Sequence, residues 1–320
     1  MKIVAMASEK NSSSISKPTE LTNPYHEPVL LKDSVEALQI KAGGIYVDCT
    51  FGGGGHSRAI LQQLSENGVL VGFDQDEQAR QNLPGDKRLI FVPHNFRHLK
   101  RFLRLHKISK VDGILADLGV SSHQFDEGER GFSTRFDADL DMRMDRRQPT
   151  TAATILGQFS EQQLHKMLEQ YGEVTNARTL AKAIVSQRQH APIKTVNDLL
   201  QSVRALVKGN PQKYFAQVFQ ALRIAVNDEL GALKEMLEQV PSVLKPGARV
   251  AIITFHSLED RMVKNFFKDA GSTGTVDEVY GKKPENPFTI ITKKPVLPAQ
   301  EEIKKNKRAR SAKLRVAERK

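Results

Sequence analysis

The 320-residue sequence predicts a doubly wound α/β domain: a mostly parallel sheet interrupted by an inserted block of helices. Three observations carry this. Apolar runs of strand length recur at 45–49, 69–73, 89–92, 113–116 and 249–255, with helix-period segments between the first three, which is the alternation of a βαβ sheet. From about 150 to 240 the apolar spacing is helical and no strand interrupts it. Between the first strand and the first helix stand four consecutive glycines, Gly52 to Gly55. The length is near the point where single cores stop growing, which suits one domain carrying an insertion.

Taken in order, residues 1–24 read as a disordered tail, because their five-residue apolar stretch is too short for a signal-peptide core and a serine cluster follows. Residues 25–125 form the first part of the sheet domain. A charged, glycine-containing loop at 126–147 leads into a helical insertion placed at 126–213. The second part of the sheet domain follows at 214–300, and 301–320 reads as a basic C-terminal tail. No internal repeat is visible.

Hydrophobic residues make up 39% and charged residues 27%, a balance that excludes a fully disordered chain, and no apolar run is long enough to cross a bilayer. A lone cysteine, Cys49, excludes an internal disulfide framework and a cysteine-based zinc site, so a reducing compartment, the cytoplasm, is expected. The net charge of +11 is clustered. Residues 301–320 hold nine Lys/Arg against three Glu, and Arg97, Lys100, Arg101, Arg104, Lys107 and Lys110 form a second cluster with no acid among them. Such clusters are either solvated faces or phosphate-binding surfaces, and charge alone leaves both readings open.

The chemistry is concentrated at strand ends. Asp48-Cys49-Thr50-Phe51-Gly52-Gly53-Gly54-Gly55-His56-Ser57 runs from a strand through glycines into a helix, where bare backbone can touch a ligand. The next strand ends on Asp74, the place where a carboxylate meets ribose hydroxyls. Together they read as a nucleoside pocket. A phosphate loop would need Lys where His56 stands, and a dinucleotide fingerprint opening at Gly52 would need Gly where Ser57 stands. S-adenosylmethionine, which has ribose but no phosphate, suits the loop better, although a nicotinamide-dependent oxidoreductase is also compatible with it. The fourth strand ends on Asp117, aimed at the crevice that open α/β sheets form at their carboxyl ends, where it could accept a hydrogen bond from an attacking amine or merely cap a turn. His123 and Gln124 follow. His256, after the last apolar strand, is either a crevice residue or a helix cap. The helix from Phe219 to Leu230 reads as core, with Arg223 and Asn227 as weaker substrate candidates.

The ordered segments Tyr25-His26-Glu27-Pro28-Val29-Leu30, Thr50 to Ser57, Asp117-Leu118-Gly119-Val120-Ser121-Ser122, Arg130-Gly131-Phe132-Ser133, Asp139 to Asp145, Phe219-Gln220-Ala221-Leu222-Arg223-Ile224 and Phe255-His256-Ser257-Leu258-Glu259-Asp260-Arg261 resemble the RsmH (MraW) family of 16S ribosomal RNA cytosine-N4 methyltransferases. The resemblance runs from about Tyr25 to the C-terminus. It implies a class I methyltransferase (Rossmann-like) fold with a helical insertion, S-adenosylmethionine as donor, and the small ribosomal subunit, through a decoding-site cytosine of its 16S RNA, as partner. Carried over position by position, it implies that Gly54, Gly55, His56, Asp74, Phe96, Asp117 and Gln124 bind the donor. Asp117 and His256 are then the expected catalytic residues, and Arg308, Arg310, Lys313 and Arg315 the expected RNA contacts. No metal and no membrane are expected, a homodimer is compatible with the sequence, and a non-catalytic RNA-binding assembly factor is the third reading. The chain departs from nucleic-acid amino-methyltransferases that end the fourth strand in Asp/Asn-Pro-Pro-aromatic, since Leu118-Gly119-Val120 stands there. The base-stacking group must then lie elsewhere, with Phe132, Phe136 and His256 as candidates.

Overall fold

The computed structural model describes residues 28–121, 124–125, 128–270 and 285–320, so the expected tail 1–24 and His123 lie outside the described residues. Seven strands form one sheet in the order β3-β2-β1-β4-β5-β7-β6. β1 (Ile45–Asp48), β2 (Val69–Phe73), β3 (Leu89–Val92), β4 (Val111–Asp117) and β5 (Leu244–Thr254) run parallel, and these are the five strands legible in the sequence. β7 (Lys313–Arg319) lies antiparallel between β5 and β6 (Phe288–Ile290). This is the class I methyltransferase arrangement.

Alternate residues of each strand feed two different cores. Val47, Val71, Ile114, Val250 and Ile252 pack on one face, with α3 (Leu99–Leu105), α9 (Glu229–Val243) and α10 (Ser257–Asp269) over them. Tyr46, Leu70, Leu115, Ala251 and Ile253 pack on the other, under α1 (Leu31–Ala37) and α2 (Gly55–Gln63). Because both faces are covered, the strands read as unbroken apolar runs. The strand order reverses between β1 and β4, and this opens a crevice at their carboxyl ends.

The connection from β4 to β5 carries the helical unit: α4 (Ala152–Gln158), α5 (Glu161–Gly172), α6 (Ala177–His190), α7 (Val196–Val203) and α8 (Pro211–Asn227). Local chemistry starts these helices. Ser160 with Gln163 and Thr195 with Asp198 form capping boxes, and Asn210 caps a helix that opens on Pro211. Leu164, Leu168, Leu180, Ile184, Val218 and Leu222 form a core separate from the two sheet cores. The sequence placed the end of this unit at 213, but α8 buries Tyr214, Val218, Ala221 and Leu222 at helical spacing in the same core, so the unit continues to Asn227.

The segment 301–320 is not a tail. After α11 (Gln300–Lys305) the chain enters the sheet as β7, burying Leu314, Val316 and Ala317. Arg315 is only 7% exposed, and its Nε and Nη2 donate to Asp260 of α10 at 2.6 and 3.2 Å. Lys313 Nζ reaches the same carboxylate at 3.3 Å. The two residues expected to contact RNA therefore hold a strand to a helix. Lysine-rich composition hid an alternating strand pattern, whose charges are met by Asp260 on one side and by Arg249 pairing with Glu318 across the ladder at 2.9 Å. Of the other two expected RNA contacts, Arg310 is exposed, and the Arg308 guanidinium stands 5.3 Å from the Phe125 ring.

Candidate active site

A cavity of about 350 Å³ opens where the parallel strands end, a volume suited to one small ligand. Its base is set by β1. Asp48 is fully buried and accepts from the Thr50 N–H at 3.0 Å and the Ser57 hydroxyl at 2.7 Å, which pins both ends of the glycine loop. The Thr50 hydroxyl in turn accepts the Asp117 N–H at 2.7 Å, tying β1 to the end of β4. Gly52, Gly53, Gly55 and His56 line the cavity. Gly54 does not reach it: with φ +74° it turns the chain into α2, its N–H bonded to Phe51 O at 2.7 Å. A Cβ on Gly55 would collide with Pro28, so only glycine fits there.

Asp74 ends β2 on the cavity wall. Its Oδ2 accepts the Gly52 N–H at 2.7 Å and its Oδ1 the Asp76 N–H at 2.8 Å, leaving further lone pairs for a ligand hydroxyl. Burial, the largest influence, pushes its carboxyl up to about 7 against the pull of those two N–H groups, and the charges of Asp76 and Asp48 add to the rise. Asp76 Oδ2 accepts both Gln124 Nε2 and Arg130 Nη1 at 2.7 Å. Arg130 is 1% exposed and also donates to Gln78 Oε1 at 2.6 Å, its guanidinium 5.7 Å from the Phe132 ring. Gln124 and Phe96 line the cavity. Phe132 is buried beneath Arg130 and Phe136 is half-exposed; neither is part of the cavity wall, so they lose their place as base-stacking candidates within it.

Asp117, at the end of β4, faces the cavity next to His56, whose Nδ1 is 3.8 Å from Asp117 Oδ2. Burial, with added repulsion from Asp48 and Glu259, pushes the Asp117 carboxyl well above its usual range. Burial also lowers the His56 imidazole, outweighing Asp48 and a backbone hydrogen bond at Val29. Asp117 Oδ1 and His56 Nε2 are buried without a hydrogen-bond partner among the described residues.

His256 stands one step back from the cavity. It caps α10, its Nδ1 accepting the Glu259 N–H at 3.4 Å, and it is Glu259 that lines the wall. Sequence reasoning missed Glu259, although the spacing His256-Ser257-Leu258-Glu259 is that of a capping box. The Glu259 carboxylate accepts the Phe255 N–H at 2.9 Å and has His256 Nε2 3.2 Å away. Burial acts to raise it, but His256, Arg223 and the Phe255 N–H outweigh burial and hold it below the usual glutamate range. Glu229 lines the wall close to Glu259, held by Arg223 through two bonds of 2.8 and 2.9 Å. Asn227, also on the wall, fixes the loop that precedes the helical unit by accepting the Met144 N–H and donating to Met142 O, each at 2.8 Å.

Glu229, His256 and Glu259 bring ligand-type atoms within 4.8 Å of one another. Their chemistry is not that of an ion cage. Arg223 donates to both Glu229 oxygens and already neutralises that carboxylate, so a cation brought to the cluster would meet the guanidinium's charge.

The composition of the wall selects among nucleosides. Asp74, Asp117, Glu229 and Glu259 line it, against Arg58 as the only Lys or Arg in the lining among the described residues. A pyrophosphate would find a single fixed cation here, Arg58, whereas the sulfonium and ammonium of S-adenosylmethionine would be attracted by the Glu259 carboxylate and would draw Asp74 toward its ionised form. The residues therefore fit that donor and disfavour a nicotinamide dinucleotide. Over residues 23–320 the sequence matches the MraW methylase family. The chain belongs to that family. Among relatives, the ribosomal RNA small subunit methyltransferase H of Bacteroides thetaiotaomicron is 51% identical over 302 residues, covering 94% of this chain and 99% of its own. The protein of the same name from Cytophaga hutchinsonii is 52% identical over 299 residues, covering 92% of this chain and 99% of its own. Membership of the MraW methylases agrees with the donor that the wall selects, S-adenosylmethionine. Among the described residues, no helix is long and apolar enough to cross a membrane.

Proposed function

We propose that this protein methylates the exocyclic N4 amine of a cytosine in 16S ribosomal RNA, acting in the cytoplasm on the assembled small subunit. The single observation that carries the reading is the cavity at the reversal of strand order, lined by the glycine loop and by the acids that end β2 and β4, Asp74 and Asp117. S-adenosylmethionine, when bound, supplies an electrophilic methyl group. Gly52, Gly53, Gly55, His56, Asp74, Phe96, Asp117 and Gln124 are the residues placed to hold it. Asp74 receives ribose hydroxyls on an acceptor already fixed by two backbone N–H groups.

What remains for the protein is orientation. The amine lone pair is delocalised into the ring, so a fixed acceptor on an amine hydrogen lets it localise as it attacks, and holding the groups in line supplies much of the rate. Lys100, Arg101, Arg104 and Lys107 on and just beyond α3 are exposed, as are Lys304, Lys305, Lys307 and Arg310, and these are the cations available to RNA phosphates. Bases in ribosomal loops are cheap to extrude into such a cavity. The test is a labelled-donor assay on small subunits followed by nucleoside mass spectrometry. Label on N4 of one cytosine is the expected result, and label on carbon or on a ribose oxygen would refute the amine reading.

A further inference from the structure

We propose that Glu259 is the proton acceptor for the target amine and that His256 is its positioning residue. This rests on the amine reading above. Asp117 and Glu259 rise from neighbouring strands: Asp117 ends β4 opposite Ile253 of β5, and Glu259 sits in the first turn of α10, which follows β5 directly. Both face the same cavity. A buried carboxylate in a cavity wall is costly unless something holds it. Here the Phe255 N–H binds it at 2.9 Å, the His256 imidazole edge lies 3.2 Å away, and the Arg223 guanidinium adds its charge. Capping α10 accounts for His256 Nδ1 on the Glu259 N–H and for a Glu259 oxygen on the Phe255 N–H. It does not require a carboxylate on the cavity wall, nor a histidine side chain, 8% exposed, with its Nε2 3.2 Å from that carboxylate.

The surroundings divide the two acids into different roles. Burial and like charge push the Asp117 carboxyl up, while the groups around Glu259 hold it ionised, and such pairs mark which carboxyl accepts a proton. The reaction demands an acceptor. As the N4–C bond forms, the C–S bonding pair stays on sulfur, the nitrogen becomes cationic, and one N–H proton must leave. Glu259 takes that proton as a carboxylic acid and returns it to solvent after the product departs. The same carboxylate selects for the substrate, because it needs a donor hydrogen opposite it: a cytosine amine offers one, and the carbonyl of a uracil does not.

Glu259→Gln keeps the acceptor for the Phe255 N–H, and His256→Asn keeps a helix cap. Glu259→Ala leaves a space for formate. The expected result is a single-turnover rate on small subunits lowered by about a hundredfold or more in Glu259→Gln, the scale of a missing general base, and a smaller drop in His256→Asn. S-adenosylhomocysteine affinity and melting temperature should stay near wild type in both, and formate should restore Glu259→Ala saturably. A readout independent of turnover is the amine proton resonance of cytidine, isotopically labelled at N4 and bound with S-adenosylhomocysteine: it should move downfield in the wild type and not in Glu259→Gln. A rate within threefold of wild type in Glu259→Gln would overturn the inference, and so would a slower rate matched by weaker S-adenosylhomocysteine binding with no formate rescue. Either result leaves the amine reading standing if wild type makes N4-methylcytidine, and a wild type that methylates another atom sinks both.

Discussion

Replacing Asp74 with asparagine separates the two duties of this carboxylate. Both oxygens accept a backbone N–H, from Gly52 at 2.7 Å and Asp76 at 2.8 Å, and an amide can satisfy only one of them. The other N–H is left facing an NH₂ group in a buried site, and the ribose loses its acceptor, so donor binding should weaken by about 1 to 3 kcal/mol near pH 8. The pH dependence follows from the carboxyl at about 7 in the ligand-free protein. Donor hydroxyls and a cationic donor favour the ionised form, so binding must expel the proton at lower pH. The part of the affinity owed to Asp74 should fall roughly thirtyfold between about pH 8 and about pH 5.5, from the shrinking ionised fraction. The stability of the ligand-free protein has the opposite sign. A raised folded-state pKa means that this group's contribution is fully present below the unfolded value near 4 and is lost as pH rises through about 7. Calorimetry near pH 6 in two buffers of different ionisation enthalpy counts the protons released. Wild type should release about one more than Asp74→Asn, whose affinity profile should be flatter. Equal proton release by the two proteins would show that Asp74 is not titrated by the donor.

Arg130→Met should cost about 3 to 5 kcal/mol of stability, because it leaves Asp76 as a buried charge without its cation, and chemical denaturation measures this directly. Gly55→Ala should abolish measurable donor binding in calorimetry, since its Cβ meets Pro28 and α2 cannot start in place. Changing Lys100, Arg101, Arg104 and Lys107 together to glutamine should flatten the salt dependence of RNA binding by about 0.7 in log-log slope for each single-stranded phosphate left without its cation, with donor affinity unchanged. Arg315→Leu should lower the melting temperature and leave that salt slope as in wild type, because its guanidinium is spent on Asp260; a reduced slope would return Arg315 to the RNA surface.

The strands that were legible are those buried on both faces, where position 47 feeds one core and position 46 the other, so no polar residue breaks the run. β7 was illegible for the opposite reason. Its Lys-Leu-Arg-Val alternation is a strand pattern, but in a stretch this basic it reads as a tail until Asp260 is seen to accept Arg315 from another element. The same division holds in the cavity. Glycines and strand-ending acids announce themselves by position, which is why Gly55, Asp74 and Asp117 could be named. Arg130 could not, because what defines it is a partner elsewhere, Asp76 across 54 residues, and Asn227 was only a weaker candidate because its partner, Met144, lies 83 residues away. His256 was noticed and Glu259 was not, although the capping geometry that orients the first is what puts the second on the wall.

Asp76 links these levels. Its backbone N–H sets Asp74, one carboxylate oxygen starts the turn after β2 through the Gln78 N–H, and the other receives Gln124 and Arg130 together. Arg130 belongs to the loop that leads into the helical unit, and Met142, later in that loop, donates its N–H to Arg130 O at 2.9 Å while its own carbonyl accepts Asn227 of α8. A continuous chain of hydrogen bonds therefore runs from the Asp74 carboxylate to the last helix of the insertion. Because Arg130 is 1% exposed and its charge is met by a single carboxylate, the loop cannot shift without stranding that charge, a cost larger than any one of the neutral bonds in the chain. The insertion is thus fixed to the cavity by electrostatics at one end and by the Asn227 amide at the other, so the side chains that hold the helical unit in place also shape the cavity wall.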